Sequence, residues 1–78
     1  MEVDLARLKA ERVANGFTQE EIAKKMGWRS TSSYAKRENG TILIGADELS
    51  KIVTILGYDQ DSIGIFFRSS VPKRERIL

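Results

Sequence analysis

The stretch that decides the fold is Phe17–Gly40, which reads FTQEEIAKKMGWRSTSSYAKRENG. Thr18 and Glu21 have the spacing of a capping box, in which the hydroxyl and the carboxylate each accept a hydrogen bond from a free backbone amide. A helix is therefore predicted to begin at Thr18. It should end at Gly27, because glycine readily adopts the left-handed backbone conformation in which helices end.

A second helix is predicted within the same stretch. It should begin near Ser30 or Thr31 and end at Asn39-Gly40, since both of these last residues tolerate a left-handed helix end. Tyr34 is its best candidate for the core, and the rest of the helix is rich in serine, threonine, lysine and arginine. Two short helices joined by a tight turn, the second polar and basic, have the layout of a helix-turn-helix. In that motif the second helix enters the major groove of DNA.

Charge is distributed unevenly along the chain. Between Lys24 and Arg37 there are five basic residues and no acidic one, whereas residues 38–65 contain five acids and a single lysine. The net charge is only +2, so a basic stripe lies on a nearly neutral molecule. Such a stripe favours a polyanionic partner docking on one face, although by itself it would also fit an ordinary solvated surface.

Composition excludes several classes of protein. The chain has 78 residues, 41% of them hydrophobic, with no cysteine and no histidine. It therefore lacks disulfides, zinc fingers, nucleophile systems that need histidine or cysteine, and the usual transition-metal sites. No glycine-rich phosphate loop or catalytic carboxylate pair is present, so we expect neither an enzyme nor a cofactor. The absence of a long apolar run and of a signal-peptide core predicts a cytoplasmic protein without a membrane partner.

The remaining segments predict an all-α bundle of about five helices. Apolar residues recur at helical spacing in residues 4–16 and 45–57, and a short fifth helix is expected over 59–63. Trp28, in the turn, should wedge under the two helices of the motif. Residues 1–68 would then form one domain and residues 69–78 a basic C-terminal tail, with Lys73–Leu78 mobile.

The end of the domain allows two interpretations. Ile65, Phe66 and Phe67 are strand-forming types that follow a glycine, so they predict either a short strand or an apolar patch for a partner chain. They are our candidates for dimer contacts, and the alternative is that they simply close the core.

The ordered motifs resemble the lambda-repressor/Cro-like (XRE-type) helix-turn-helix family of phage, plasmid and bacterial regulators. The pattern is Arg12-x-x-x-Gly16-Phe17-Thr18-Gln19, then Glu21-Ile22-Ala23, Gly27 and Glu38-Asn39-Gly40, then an apolar fourth helix. The resemblance covers about residues 5–67, and the C-terminal sequence is similar to that of small regulators from Gram-positive bacteria and their phages. It departs from the family in an extra residue between Gly27 and Glu38 and in a neutral loop over residues 41–44.

The resemblance implies DNA contacts near the start of each helix of the motif. Gln19 corresponds to a family residue that contacts the DNA backbone. Thr31 and Ser32 are expected to touch bases, and Arg29 and Lys36 to touch bases or phosphates. The complete set of expected DNA-binding residues is Gln19, Arg29, Ser30, Thr31, Ser32, Ser33, Lys36, Arg37 and Asn39.

Two basic residues have other roles open to them. Arg12 and Glu38 correspond to a structural ion pair of the family that ties the first helix to the end of the third. Arg37 stands where the family is often apolar, so it would either extend its head to a phosphate or act in a purely structural way.

The function implied is sequence-specific binding of duplex DNA and transcription regulation, chiefly repression, without a small-molecule ligand. A domain of this size makes few contacts, so a two-fold homodimer on half-sites about 34 Å apart is expected. The alternative is a protein-interaction module, such as an antitoxin or the partner of an anti-repressor. The dependence of affinity on salt concentration distinguishes the two functions, because only DNA binding releases condensed counterions.

Overall fold

The computed structural model describes residues 2–68 as four α-helices followed by a 3-10 helix. The elements are α1 (Leu5–Ala14), α2 (Gln19–Lys25), α3 (Thr31–Glu38), α4 (Ala46–Ile55) and the 3-10 helix Gln60–Phe66. The all-α bundle of five helices predicted from the sequence is confirmed. The predicted basic tail, residues 69–78, lies outside the described residues.

The helix ends follow from local side-chain chemistry. The Asp4 carboxylate caps α1 by accepting a hydrogen bond from the Arg7 amide at 3.1 Å. The capping box of α2 is complete, since the Thr18 hydroxyl accepts from the Glu21 amide at 3.0 Å and the Glu21 carboxylate accepts from the Thr18 amide at 2.8 Å. That backbone hydrogen bond also lowers the pKa of Glu21. Gly27 has a φ of +84° and turns the chain out of α2, as the sequence predicted.

The core is made by one apolar face from each helix. Its buried side chains are Leu8, Ile22, Ala23, Met26, Tyr34, Leu49, Ile52, Val53, Leu56 and Phe66. Because these residues repeat at helical spacing in the sequence, most of them could be assigned to the core in advance. Trp28 is half-buried and packs against this cluster, which places α2, the turn and α3 on a common apolar base.

The segment after α4 differs from the sequence prediction. The helix predicted over residues 59–63 continues to Phe66, and it is a 3-10 helix. Phe67 forms a single antiparallel bridge with Val3, which is too short to make a ladder, so of the two interpretations of residues 65–67 the short strand is wrong. The reason lies in Phe66, which is fully buried where the 3-10 helix packs against α1 and α4.

Burial of Phe66 also corrects the expected dimer contacts. A side chain with no exposed surface is not available to a second copy, so Phe66 closes the core. Ile65 remains 37% exposed and Phe67 is half-buried. Any apolar patch at this end is therefore smaller than the sequence suggested.

Substitution of Phe66 tests this packing. We expect Phe66→Ala to lower the free energy of unfolding by about 3–5 kcal/mol, because a large buried aromatic leaves a cavity that cannot fully collapse. The neighbouring change Ile65→Ala is the control and should cost about 1 kcal/mol or less. Urea denaturation followed by circular dichroism measures both, and equal losses for the two variants would contradict the placement of Phe66 in the core.

Candidate nucleic-acid interface

α2 and α3 form the most extensive contact between any two elements of residues 2–68. Residues 26–30 connect them, and the chain reverses there through hydrogen bonds from the Gly27 amide to the Lys24 carbonyl at 3.0 Å and from the Trp28 amide to the Ala23 carbonyl at 2.9 Å. α3 turns Tyr34 and Glu38 inward, where both are buried. The opposite side of α3 faces solvent. The helix therefore packs on the core through one face and exposes the other face to a partner.

The outward side of α3 and the turn before it carry most of the predicted DNA-binding residues. The exposed members are Arg29, Ser30, Thr31, Ser32, Lys36 and Asn39. Ser33 is half-buried beside them. No acidic residue lies on this surface, since Glu38 is the only acid between residues 22 and 46 and it is buried. The structure therefore brings hydroxyl, amide and cationic groups together on a surface free of negative charge.

The hydroxyl groups at the start of α3 lie close to one another. The Ser30 hydroxyl is 3.0 Å from the Ser32 hydroxyl and 3.2 Å from the Ser33 hydroxyl. Ser30 is the N-cap residue, yet its side chain accepts no hydrogen bond from the helix backbone. Hydroxyls bonded only to each other can rotate toward an incoming acceptor or donor at small cost, which suits contacts with bases or phosphates.

Two predicted DNA contacts are partly engaged within the protein. The Gln19 side-chain amide donates to the Glu38 carboxylate at 2.9 Å, and this is its one side-chain hydrogen bond among residues 2–68. An amide carries two N–H groups, so a second remains for a phosphate. The Asn39 side-chain oxygen accepts from the Thr41 amide at 2.9 Å and from the Thr41 hydroxyl at 2.6 Å, which orders the start of the loop after α3.

Glu38 stands at the centre of a buried polar network. Its carboxylate accepts hydrogen bonds from Arg12 Nε at 2.8 Å and Nη2 at 3.1 Å, from the Tyr34 hydroxyl at 2.7 Å and from Gln19. Arg12 Nη1 donates to the Phe17 carbonyl at 2.8 Å. Only 8% of Arg12 and 7% of Glu38 is exposed, so this ion pair is desolvated. The network joins α1, the start of α2 and the end of α3.

Burial and hydrogen bonding act in opposite directions on the carboxylate. Burial alone would raise the pKa of Glu38, but the hydrogen bonds from Arg12, Tyr34 and Gln19 lower it below its usual value. The hydrogen bond that Arg12 donates to Glu38 raises the pKa of Arg12. Burial, together with the hydrogen bond that its hydroxyl donates to Glu38, raises the pKa of Tyr34. All three groups are therefore held in the states that the network requires: an anion, a cation and a neutral phenol.

Arg37 lies on a different side of α3 from the exposed polar surface. Its guanidinium donates to the Glu48 carboxylate through Nε at 2.9 Å and Nη2 at 3.1 Å, and to the Ser33 carbonyl through Nη1 at 2.7 Å. It also stacks over the Trp28 ring, 4.2 Å from the centroid. Of the two roles left open by the sequence, these contacts favour the internal one.

The loop after α3 is apolar and exposed. Leu43 is 90% exposed and Ile42 is 37% exposed. With Val3, Leu5 and Ile44 they line a shallow groove beside α1.

Residues 2–68 contain no group of three acidic, histidine or cysteine side chains placed to hold a metal ion.

Comparison with known families agrees with this geometry. A family model described as helix-turn-helix matches residues 8–60, which spans α1 to the beginning of the 3-10 helix. The chain belongs to the XRE-type, lambda-repressor/Cro-like helix-turn-helix family. This family consists of DNA-binding transcription regulators and is not typically enzymatic. Neither the curated proteins nor the solved structures give a significant match. No helix of residues 2–68 is long and apolar enough to cross a membrane.

Hydrogen-bond contacts made by three residues of the helix-turn-helix site are not predicted by the sequence. The sequence pattern places Tyr34 in the core but does not predict its hydroxyl contact with Glu38, and the resemblance assigns Gln19 to DNA but does not predict its hydrogen bond to Glu38. Nothing in the sequence pairs Glu48 with Arg37. The only signal for Glu48 was an acidic residue three positions after Gly45, the spacing at which a carboxylate can accept from the amide at a helix start.

Removal of the Glu38 charge tests the network. We expect Glu38→Gln to lower the free energy of unfolding by about 3–5 kcal/mol, because Arg12 is left as an unpaired buried cation. The matched control is Glu20→Gln, which removes an exposed partner of Lys24 at 4.0 Å and should cost about 0.5 kcal/mol or less. Both are measured by urea denaturation at pH 7, and a cost for Glu38→Gln no larger than that of the control would contradict the network.

The same carboxylate predicts an acid-sensitive fold. A lowered pKa in the folded state means that the unfolded state binds more protons, so the stabilisation is complete above the ordinary carboxyl pKa and is lost as pH falls through the folded-state pKa. The free energy of unfolding should fall from about pH 5 downward. Glu38→Gln should show a shallower decline, with the remainder due to Glu11, Glu21 and Glu48, whose pKa values are also lowered. Identical pH profiles for the two proteins would contradict this assignment.

Proposed function

We propose that this protein is a sequence-specific transcription regulator that binds duplex DNA by inserting α3 into the major groove. The observation that carries the proposal is the exposed, acid-free face of α3, held in place from behind by the buried Glu38 network. A rigid helix with short polar side chains can approach base edges closely, and its flanking cations can bind the phosphates on either side. A cytoplasmic location, where the DNA of a bacterium or phage is read, fits this role.

Individual roles follow from position and chemistry. Thr31 and Ser32 are exposed in the first turn of α3 and would contact bases, supported by Ser30 and Ser33. Arg29 precedes the helix and Lys36 lies about one turn beyond Ser32, so their longer, cationic side chains can contact phosphates or a guanine edge. Gln19 would contact a phosphate through the N–H that Glu38 does not take, and Asn39 would do so at the other end of the helix.

A two-fold dimer would give such a small domain adequate affinity. Two copies of α3 could occupy half-sites about one DNA turn apart, about 34 Å, and the operator would then be an inverted repeat. Ile65 and Phe67 are the candidate contacts between copies. Binding over a promoter would exclude polymerase, and repression is therefore the mode of regulation that we propose.

The second candidate function is binding to a protein, as an antitoxin or the partner of an anti-repressor. The exposed Leu43 and Ile42 favour it, because large apolar side chains in solvent are suited to a protein interface. They occupy the loop that is usually basic in the family. Affinity for a partner held by this patch should change little with salt, whereas affinity for DNA should fall steeply.

Selection from random duplex DNA tests the proposed function directly. Sequencing of the pool retained by the purified protein should reveal an inverted repeat with half-sites about one helical turn apart. An unenriched pool would contradict sequence-specific recognition. Enrichment of a single unrepeated site would contradict the dimer alone.

Charge removal on α3 then assigns the interface. We expect Arg29→Ala with Lys36→Ala to weaken binding of the selected duplex by about 100-fold, since each such contact is worth about 1–3 kcal/mol. The slope of log affinity against log salt should become shallower by about 1 to 2 for each bound copy. The control removes two exposed lysines elsewhere, Lys9→Ala with Lys51→Ala, and should leave both quantities nearly unchanged. Equal effects of the two double variants would contradict α3 as the reading helix.

A further inference from the structure

Besides the Glu38 network, a second group of contacts restrains α3. We call these two restraints clamps, and the second clamp is the Arg37–Glu48 ion pair. Arg37 and Glu48 form a bidentate pair, with N···O distances of 2.9 and 3.1 Å, between the last turn of α3 and the first turn of α4. Bidentate pairing fixes orientation as well as distance, because two parallel hydrogen bonds restrict rotation of both groups. The exposed fractions of the two side chains are 16% for Arg37 and 29% for Glu48, so the pair is partly shielded from water.

Both members of the clamp are themselves anchored. Arg37 donates to the Ser33 carbonyl at 2.7 Å, one turn earlier in α3, and stacks on Trp28 in the turn that precedes the helix. Glu48 accepts a third hydrogen bond, from the Gly45 amide at 3.0 Å, which fixes the start of α4. The hydrogen bonds from Arg37 lower the pKa of Glu48, so the Glu48 carboxyl group is ionised at neutral pH. One guanidinium thus connects the turn, α3 and α4.

The two clamps restrain different motions of the same helix. Glu38 ties the end of α3 to α1 and α2, and Arg37, the preceding residue, ties it to α4 and to the turn. A short helix held along one direction can still rotate about its own axis. Attachment along a second direction removes that freedom. Hydrogen bonds to bases need donor–acceptor distances that lie within a few tenths of an ångström of the ideal value. A small rotation of α3 would therefore misplace Thr31 and Ser32.

We propose that Arg37 and Glu48 are positioning residues for DNA recognition, which set the rotation of α3 in the groove without either side chain contacting DNA. This inference rests on the proposed function. It assigns an internal role to an arginine that stands next to a DNA-binding surface. It also gives Glu48, an acid on α4, a favourable part in binding a polyanion.

The direction in which DNA affinity changes when the Glu48 charge is removed distinguishes a positioning role of Arg37 from a phosphate contact. If Arg37 contacted a phosphate, removing the negative charge of Glu48 would free the guanidinium and strengthen binding. If the pair positions α3, the same change weakens binding although it removes repulsion between the protein and DNA. Asp47 is the matched control, because it is the adjacent acid in the first turn of α4 and is exposed.

The experiment compares Glu48→Gln, Asp47→Asn and Arg37→Met on the selected duplex, at a temperature where circular dichroism shows each variant folded. We expect Glu48→Gln to bind about fivefold or more weakly and Asp47→Asn to bind as tightly as the parent or slightly better. Arg37→Met should bind more weakly with an unchanged salt slope, whereas loss of a phosphate contact would reduce the slope by about 1. The double variant Arg37→Met/Glu48→Gln should be no weaker than the weaker single variant, because the two residues act as one unit.

Trp28 supplies a readout that does not depend on DNA. It is the only tryptophan of the chain, so Glu48→Gln should alter the protein's fluorescence through release of the stacked guanidinium, whereas Asp47→Asn should not. If the parent protein binds DNA but Glu48→Gln binds as tightly as Asp47→Asn, the clamp inference alone is overturned. A steeper loss for the double variant than for either single variant would overturn it too. If the parent selects no DNA sequence, the proposed function is overturned and the inference with it.

Discussion

The structure depends on a buried carboxylate whose hydrogen-bond donors come from three helices. Glu38 is 7% exposed, and an ionised group in that position must be compensated by a counter-charge and by hydrogen bonds to its remaining lone pairs. Arg12 from α1, Gln19 from α2 and Tyr34 from α3 supply these together. Because Arg12 lies on α1 and Glu38 on α3, displacement of either helix would leave both charges uncompensated. The network therefore fixes the position of α3 more strictly than apolar packing alone, which tolerates small shifts.

That constraint explains how a small domain can present a well-defined polar helix. The inward side of α3 contains its aromatic residue and its only acid, so the outward side is left with hydroxyls, an amide and cations. Sequestering Glu38 stabilises the fold and also removes the one negative charge that would repel DNA from this surface. Arg37 contributes in the same sense, since its guanidinium pairs with the acid Glu48 and stacks on Trp28. Stability and the proposed DNA contacts thus depend on opposite sides of the same helix.

Local patterns in the sequence were sufficient for most of the fold. The Thr18–Glu21 capping box and the turn at Gly27 depend on neighbours within a few residues, and both were predicted correctly. The end of the domain was not, because a short apolar run such as residues 65–67 has no period that separates strand from helix. Burial of Phe66 against α1 and α4 decides the outcome there, and that contact is set by tertiary packing. The ion pairs also include one that could be predicted and one that could not. The Arg12–Glu38 pair could be expected from family resemblance, whereas the Arg37–Glu48 pair spans two helices and has no signature at its spacing in sequence.

The measurement that tests the account most directly is a nuclear magnetic resonance titration of the isotope-labelled protein with the duplex enriched by selection. Backbone amide signals report contact residue by residue without any substitution. The account predicts that the largest changes fall on residues 28–36 and around Gln19, with little change in the 3-10 helix Gln60–Phe66 apart from the exposed Ile65. Changes concentrated on the loop at residues 41–44, with α3 unaffected, would contradict DNA recognition by α3 and favour the apolar loop as the binding surface.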